Sequence, residues 1–241
     1  MSDTGFDRGY QLFREHAETM TEPAEVTVLG RTWDLSPGVF SPARTPVTEL
    51  FSTWIPYPAG GSFMEIGCGA GVTAVTAALA GCAQVTALDI STAAVRNTRL
   101  NVERHQVAGR VQVEVSDMFD AIPTDDRYDV IFWNSNFAEP PAGFVNETDL
   151  HHAFFDPGYV AHQRYVRDGP GFLTAGGRLL LGFSSIGNYE LLAELCRESG
   201  LDVHVVESQR RELEIPISFE LLELRPSGSR AVSVEPPDPL R

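Results

Sequence analysis

The stretch that most constrains the fold is 62–79. An apolar run, Ser62-Phe-Met-Glu-Ile66, meets glycines at 67, 69 and 71 and then a run of small residues through Leu79. The first run has strand character, and the last suits a helix that packs closely on a sheet. Glycines at these positions let the backbone turn tightly and approach a ligand without Cβ interference, and the following helix points its free N–H groups at that ligand. The dinucleotide fingerprint places its third glycine one residue later, where this chain has Val72, so the spacing argues against a nicotinamide cofactor.

Strand-like and helix-like segments alternate from here on. Strands are expected at Ser62 to Ile66, Gln84 to Asp89, Val111 to Val115, Tyr128 to Trp133 and Gly177 to Phe183. Helices are expected at Gly71 to Leu79, Thr92 to His105, Tyr159 to Phe172 and Tyr189 to Ser199. This rhythm implies βαβ units and a mainly parallel sheet. Two last strands, Val203 to Glu207 and Ser218 to Leu224, are joined by too few residues for a helical crossover, so they should pair antiparallel. Ahead of the sheet, residues 1–60 read as an N-terminal segment packed on the core: a helix with Phe6, Tyr10, Phe13 and His16 on one face, a hairpin broken at Gly30, and a helix carrying Val47, Leu50, Phe51 and Trp54. Residues 61–226 form the α/β domain, and 227–241, proline-rich and without periodicity, are expected to be disordered.

Three further sites follow from the strand ends. Asp89 closes the strand after the glycine loop, where an acid can accept two hydrogen bonds from ribose hydroxyls, or can cap the helix beginning at Ser91. Asp117 and Met118 close the next strand, where a carboxylate can accept an exocyclic amine of adenine while Met118 offers its N–H and an apolar side chain. Asn134-Ser-Asn-Phe137 follows Tyr128 to Trp133, at the crevice where open α/β sheets bind ligands. The connection Ala138 to Gly158 is long enough to cover such a site. Its His151-His152, with Asp149, Asp156 and His162, lacks a metal-ligand spacing, so no metal is expected.

The formal net charge of −15, from 18 basic against 33 acidic residues, argues against bulk nucleic acid as a partner. Three cysteines without ligand spacing fit a reducing compartment, and no apolar run reaches the roughly 20 residues of a membrane span, so a cytoplasmic location is expected.

Together Glu65-x-Gly67-x-Gly69-x-Gly71, Asp89, Asp117-Met-Phe119 and Asn134-x-x-Phe137 resemble the class I S-adenosylmethionine methyltransferases. Within them the chain is similar to the small-methyltransferase-domain group, which includes release-factor glutamine and ribosomal-RNA guanine methyltransferases. Pro37-Gly-Val-Phe-Ser41 and Leu173-Thr-Ala-Gly-Gly-Arg-Leu-Leu-Leu181 extend the likeness. The resemblance implies a Rossmann-like, seven-stranded, mostly parallel sheet with an antiparallel last strand. It implies S-adenosylmethionine held by Phe40, Glu65, Gly67, Gly69, Gly71, Asp89, Ile90, Asp117, Met118 and Asn134, with Asn134 and Phe137 positioning the methyl acceptor. In that group the acceptor motif usually reads Asn-Pro-Pro-Tyr or Asn-Pro-Pro-Phe. Here Ser135 and Asn136 replace both prolines, which removes a stiff platform. The expected acceptor is therefore a small or peptide-like molecule. The alternatives are a protein glutamine or ribosomal RNA, a reaction that cyclises or cleaves S-adenosylmethionine itself, and a binding module without catalysis.

Overall fold

The structure is a computed structural model that describes residues 4–212 and 216–228; most of the tail expected to be disordered lies outside the described residues. The sheet strands are β3 (Ser62–Ile66), β4 (Gln84–Asp89), β5 (Val111–Val115), β6 (Tyr128–Asn134), β7 (Leu173–Ser184), β8 (Leu201–Glu212) and β9 (Pro216–Pro226), in the order β5-β4-β3-β6-β7-β9-β8. Pairings from β5 through β7 are parallel, while β9 lies antiparallel between β7 and β8. The order reverses between β3 and β6, so the connections leaving these two strands diverge and open a crevice at their carboxyl ends.

Alternation along the strands feeds two layers. Phe63, Val85, Val130, Phe132 and Leu180 face the helices α2 (Val47–Trp54), α3 (Val72–Leu79) and α4 (Thr92–Arg104). Met64, Ile131, Trp133, Leu179 and Leu181 face α5 (Val160–Asp168) and α6 (Tyr189–Glu198). Both faces are covered, so the central strands read as nearly continuous apolar runs.

The N-terminal segment begins with α1 (Thr4–Thr19), followed by β1 (Ala24–Val28) and β2 (Arg31–Leu35). Leu29 and Gly30 both have positive φ, 52° and 67°, the signature of a two-residue primed turn whose twist matches the strands it joins. Two fully buried amides on α4 anchor this hairpin: Asn97 and Asn101 each donate to the Asp34 carbonyl at 2.8 Å, and the Asp34 N–H donates back to Asn101.

Four elements depart from the sequence expectation, among them β7, which starts at Leu173 rather than Gly177. The helix expected over Tyr159 to Phe172 is α-helical only through α5, with 3₁₀ turns at Pro157–Tyr159 and Gly169–Phe172, because Tyr159 sits in the left-handed region and Pro170 breaks the run. Strands β8 and β9 run several residues further than their apolar alternation suggested. Both remain hydrogen-bonded past a bulge at Val205/Glu207, where exposed charged residues conceal the pattern. The long connection Ala138 to Gly158 carries a 3₁₀ turn at Asp149–Ala153 and a bridge between Ala138 and Phe155.

Gly182 on β7 shows how tightly α2 is seated. A Cβ there would lie 2.7 and 2.8 Å from ring carbons of the fully buried Phe51. Gly182→Ala should destabilise the fold by about 1–3 kcal/mol, as overpacking does. That is a fall in Tm of roughly 2–10 °C for a chain this size. An unchanged melting curve would show that the α2 contact is loose.

Candidate functional site

A cavity of about 510 Å³ lies over the carboxyl ends of β3, β4 and β6. Phe40, Glu65, Gly67, Gly69, Asp89, Ile90, Asp117, Met118, Asn134 and Phe137 all line it. Gly71 does not. It is the N-cap of α3 with φ 81°, and a Cβ there would lie 2.8 Å from the Thr98 methyl and 3.2 Å from the Thr98 Cα, so its bareness serves the contact between the loop and α4.

The glycine loop is held from behind by α4 and from the side by Asp89. Thr98 donates its hydroxyl to the Gly69 carbonyl at 3.0 Å, and Asn101 donates to the Ala70 carbonyl at 2.8 Å. Neither residue carries a signal in the sequence, because a buried Thr and Asn on a helix are indistinguishable there from surface ones. Asp89 accepts the Gly69 N–H through one oxygen and the Ser91 N–H through the other, both at 2.9 Å. Each oxygen keeps a lone pair for a ligand, while the cap of α4 is Ser91, whose hydroxyl accepts the Ala94 N–H. Burial raises its pKa, against the pull of those two N–H groups. Gly67 and Gly69 have φ of 67° and 55°, and a Cβ on Gly69 would meet no atom within 4 Å, which leaves the loop backbone bare.

Glu65 is buried at the end of β3 and accepts the Ala74 N–H at 2.8 Å, which ties the strand to the first turn of α3. Burial raises its pKa to about 8, opposed by hydrogen bonds from the Thr73 side chain and the Ala74 N–H and reinforced by the charge of Asp89.

At the other end, Asp117 pairs with Arg164 of α5 at 2.7 Å, and Arg164 also donates to the Asp117 carbonyl. Ser116 donates to the Met118 carbonyl at 2.9 Å and so holds Met118 at a φ of 51°. Arg164 lies 47 positions beyond Asp117, and only the fold brings the two together.

The acceptor motif is stiffer than the loss of its prolines suggested. The Ser135 N–H and hydroxyl both donate to the Gly182 carbonyl, at 3.2 and 2.8 Å. Asn136 donates to the His152 carbonyl at 3.0 Å, the Phe137 carbonyl accepts the Tyr159 hydroxyl, and the Phe137 ring packs edge-on against Phe183. Hydrogen bonds do here what pyrrolidine rings do elsewhere.

The roof of the cavity comes from α1 and residues 138–157. Phe13 stacks on His151 with ring centroids 4.1 Å apart, Phe6 and Phe144 pack on Phe155, and His16 stacks on Phe40. Of the histidine cluster, His162 pairs with Asp156 at 2.7 Å in a buried contact, and Asp156 also accepts the N–H groups of Ala161 and His162 at the start of α5. Among the described residues no three His, Cys, Asp or Glu side chains gather as metal ligands, and no helix is long and apolar enough to cross a membrane.

The chain matches the family model described as the methyltransferase small domain over residues 32–208. It is 32% identical over 203 residues to the release factor glutamine methyltransferase of Bordetella pertussis, covering 77% of this chain and 70% of that one. It is 31% identical to the ribosomal RNA small subunit methyltransferase C of Chromohalobacter salexigens, over 63% of this chain and 41% of that protein. Among solved structures, the T. thermophilus 16S rRNA guanine N2 methyltransferase in complex with AdoMet and guanosine superposes with a TM-score of 0.56 at 22% identity, over 85% of this chain and 50% of its own. The two sequence relatives overturn the expectation of a small or peptide-like acceptor with nucleic acid unlikely, since they are named for a protein glutamine and for ribosomal RNA. That expectation rested on the two replaced prolines and on net charge; the motif is held by other contacts, and net charge is a sum over the whole surface, whereas recognition is decided by the local field at the site. With most of its length inside the matched span, the chain belongs to the methyltransferase small domain family and is an S-adenosylmethionine-dependent methyltransferase.

Proposed function

We propose that this enzyme methylates the side-chain amide nitrogen of a glutamine in a polypeptide. The reading is carried by the polar motif Asn134 to Phe137, which stands across the crevice from the glycine loop in a chain that matches a release factor glutamine methyltransferase over 77% of its length. A second reading, the exocyclic amine of a guanine in RNA, is favoured by the likeness to the ribosomal RNA enzyme. The two acceptors share a planar group bearing N–H donors.

The residues lining the cavity suit S-adenosylmethionine. Asp89 has lone pairs for the ribose hydroxyls, Ile90 is 40% exposed beside it as an apolar shelf, and Asp117 and Met118 stand where adenine would lie. Glu65, the bare backbone of Gly67 and Gly69, Asn134 and Phe40, which line the rest of the cavity, would hold the methionine end. When bound, the cofactor supplies a methyl group activated on a sulfonium. The protein's task is alignment: the Asn134 carbonyl accepts one N–H of the acceptor and orients its nitrogen, the Phe137 ring stacks on the planar group, and the aromatic roof excludes water.

Three outcomes test this reading. Asp89→Ala should weaken S-adenosylhomocysteine binding by about 1.5–3 kcal/mol, the range for hydrogen bonds to a charged group; calorimetry that finds unchanged affinity removes Asp89 from the site. For Glu65, a folded pKa raised to about 8 from an ordinary 4.5 means that its stabilisation is complete below pH 4.5 and lost as pH rises through 8. Ligand-free wild type should therefore lose up to about 1.4 kcal/mol per pH unit across that window, and Glu65→Gln should abolish this slope in melting experiments. Incubation with S-adenosylmethionine and either polypeptide or RNA substrates, read by mass spectrometry, should place the added methyl on a glutamine. Methyl on guanine alone would establish the second reading instead.

A further inference from the structure

Among the described residues three cavity-lining side chains, Thr45, Asn136 and Asn146, carry a buried oxygen without a hydrogen-bond partner, and the last two are amide oxygens, which can only accept. Asn136 donates its amide N–H to the His152 carbonyl at 3.0 Å. Asn146 donates to the Phe155 carbonyl at 3.3 Å and lies 3.2 Å from the His152 ring nitrogen. A carbonyl oxygen only accepts, so both NH₂ groups are fixed toward the roof and the orientation of each amide is set. The Oδ1 atoms of both residues are then closed off from solvent, with no hydrogen-bond partner among the described residues. Both residues line the cavity, and both are anchored around the same residue, His152.

A buried, unpartnered carbonyl is a cost that folding does not recover, and apolar residues of similar shape would avoid it. Two such amide oxygens tied to one residue, His152, beside one cavity are best explained by donors that arrive with a ligand. We propose that Asn136 and Asn146 form an acceptor-binding pair that takes the N–H groups Asn134 leaves unbound. This rests on the reading given under Proposed function and deepens it. A glutamine residue presents two side-chain N–H groups and one main-chain N–H. With one held by Asn134, the remaining two match the two oxygens. Both amides are tied to the turn at Asp149–Ala153 through His152, so the acceptor meets the closed-off pair as that turn lifts, and the roof is thereby part of the acceptor site. Asn136, which stands where related enzymes carry proline, gains an oxygen that a proline side chain does not have.

The test uses the full chain loaded with S-adenosylhomocysteine and titrated by calorimetry with two probes at millimolar concentration, N-acetylglutamine methylamide and guanosine. Asn136→Ala and Asn146→Ala should each weaken the probe that binds about tenfold or more. Each should leave S-adenosylhomocysteine affinity within about twofold and the melting temperature within a few degrees, since each removes an unsatisfied oxygen along with a hydrogen bond. Unchanged probe affinity in both variants overturns the proposal, as does the absence of binding of either probe to the wild type. A collapse in melting temperature in both variants also overturns it, because the amides would then be structural. If guanosine is the probe that binds and the variants weaken it, the pair stands while the polypeptide reading falls. If blocked glutamine binds the variants as it binds the wild type, the pair falls and that reading stands.

Discussion

The site depends on a backbone that bends three times through the left-handed region, at Gly67, Gly69 and Gly71, within five residues. Such a loop has few hydrogen bonds of its own, so its shape must be imposed from outside. Helix α4 imposes it: Thr98 packs against Gly71 at van der Waals limits and donates to Gly69, while Asn101 donates to Ala70. Asn101 also exchanges hydrogen bonds with Asp34, so one fully buried amide joins the N-terminal hairpin, a sheet helix and the ligand loop. The hairpin is in this sense part of the site, although it lines none of the cavity.

Carboxylates set the loop's other boundaries, and each works through backbone N–H groups. Asp89 takes one from the loop and one from the start of α4, and Glu65 takes one from α3. Burial raises the pKa of both, which is the cost of taking a carboxyl group out of water to brace the loop. At the far end the half-exposed Asp117 pairs with Arg164, which also reaches Asp120. The polarity of the cavity thus changes from one end to the other, with Glu65 and Asp89 held by backbone N–H groups beside β3 and β4 and an arginine-bridged pair of acids beside α5.

Where related enzymes make the acceptor motif rigid through covalent rings, this chain relies on contacts with two other parts of the fold. Ser135 is clamped to β7, and Asn136 is tied to the roof. The first contact belongs to the core, whereas the second links the acceptor motif to a segment packed mainly through aromatic edges and α1. Rigidity at the reacting end is therefore coupled to closure of the roof.

Periodicity and glycine spacing were enough to determine the central architecture. Strands β3 to β6 and helices α3 and α4 begin and end within a residue of where their patterns place them, because burial on both faces forces apolar runs and tight turns force glycine. The strand ends named the cavity-lining residues Glu65, Asp89, Asp117 and Asn134, since a parallel sheet delivers every carboxyl end to one edge. What the tertiary structure alone decided are the partners: Arg164 for Asp117, Thr98 and Asn101 for the glycine loop, Gly182 for Ser135, and His152 for Asn136. Those contacts join residues between 16 and 47 positions apart through single side chains, and a polar residue on a helix or loop looks the same in sequence whether it faces water or a buried carbonyl. Acceptor preference lay beyond composition for the same reason, because net charge averages over the surface while the site is read by a few atoms held in place by the fold.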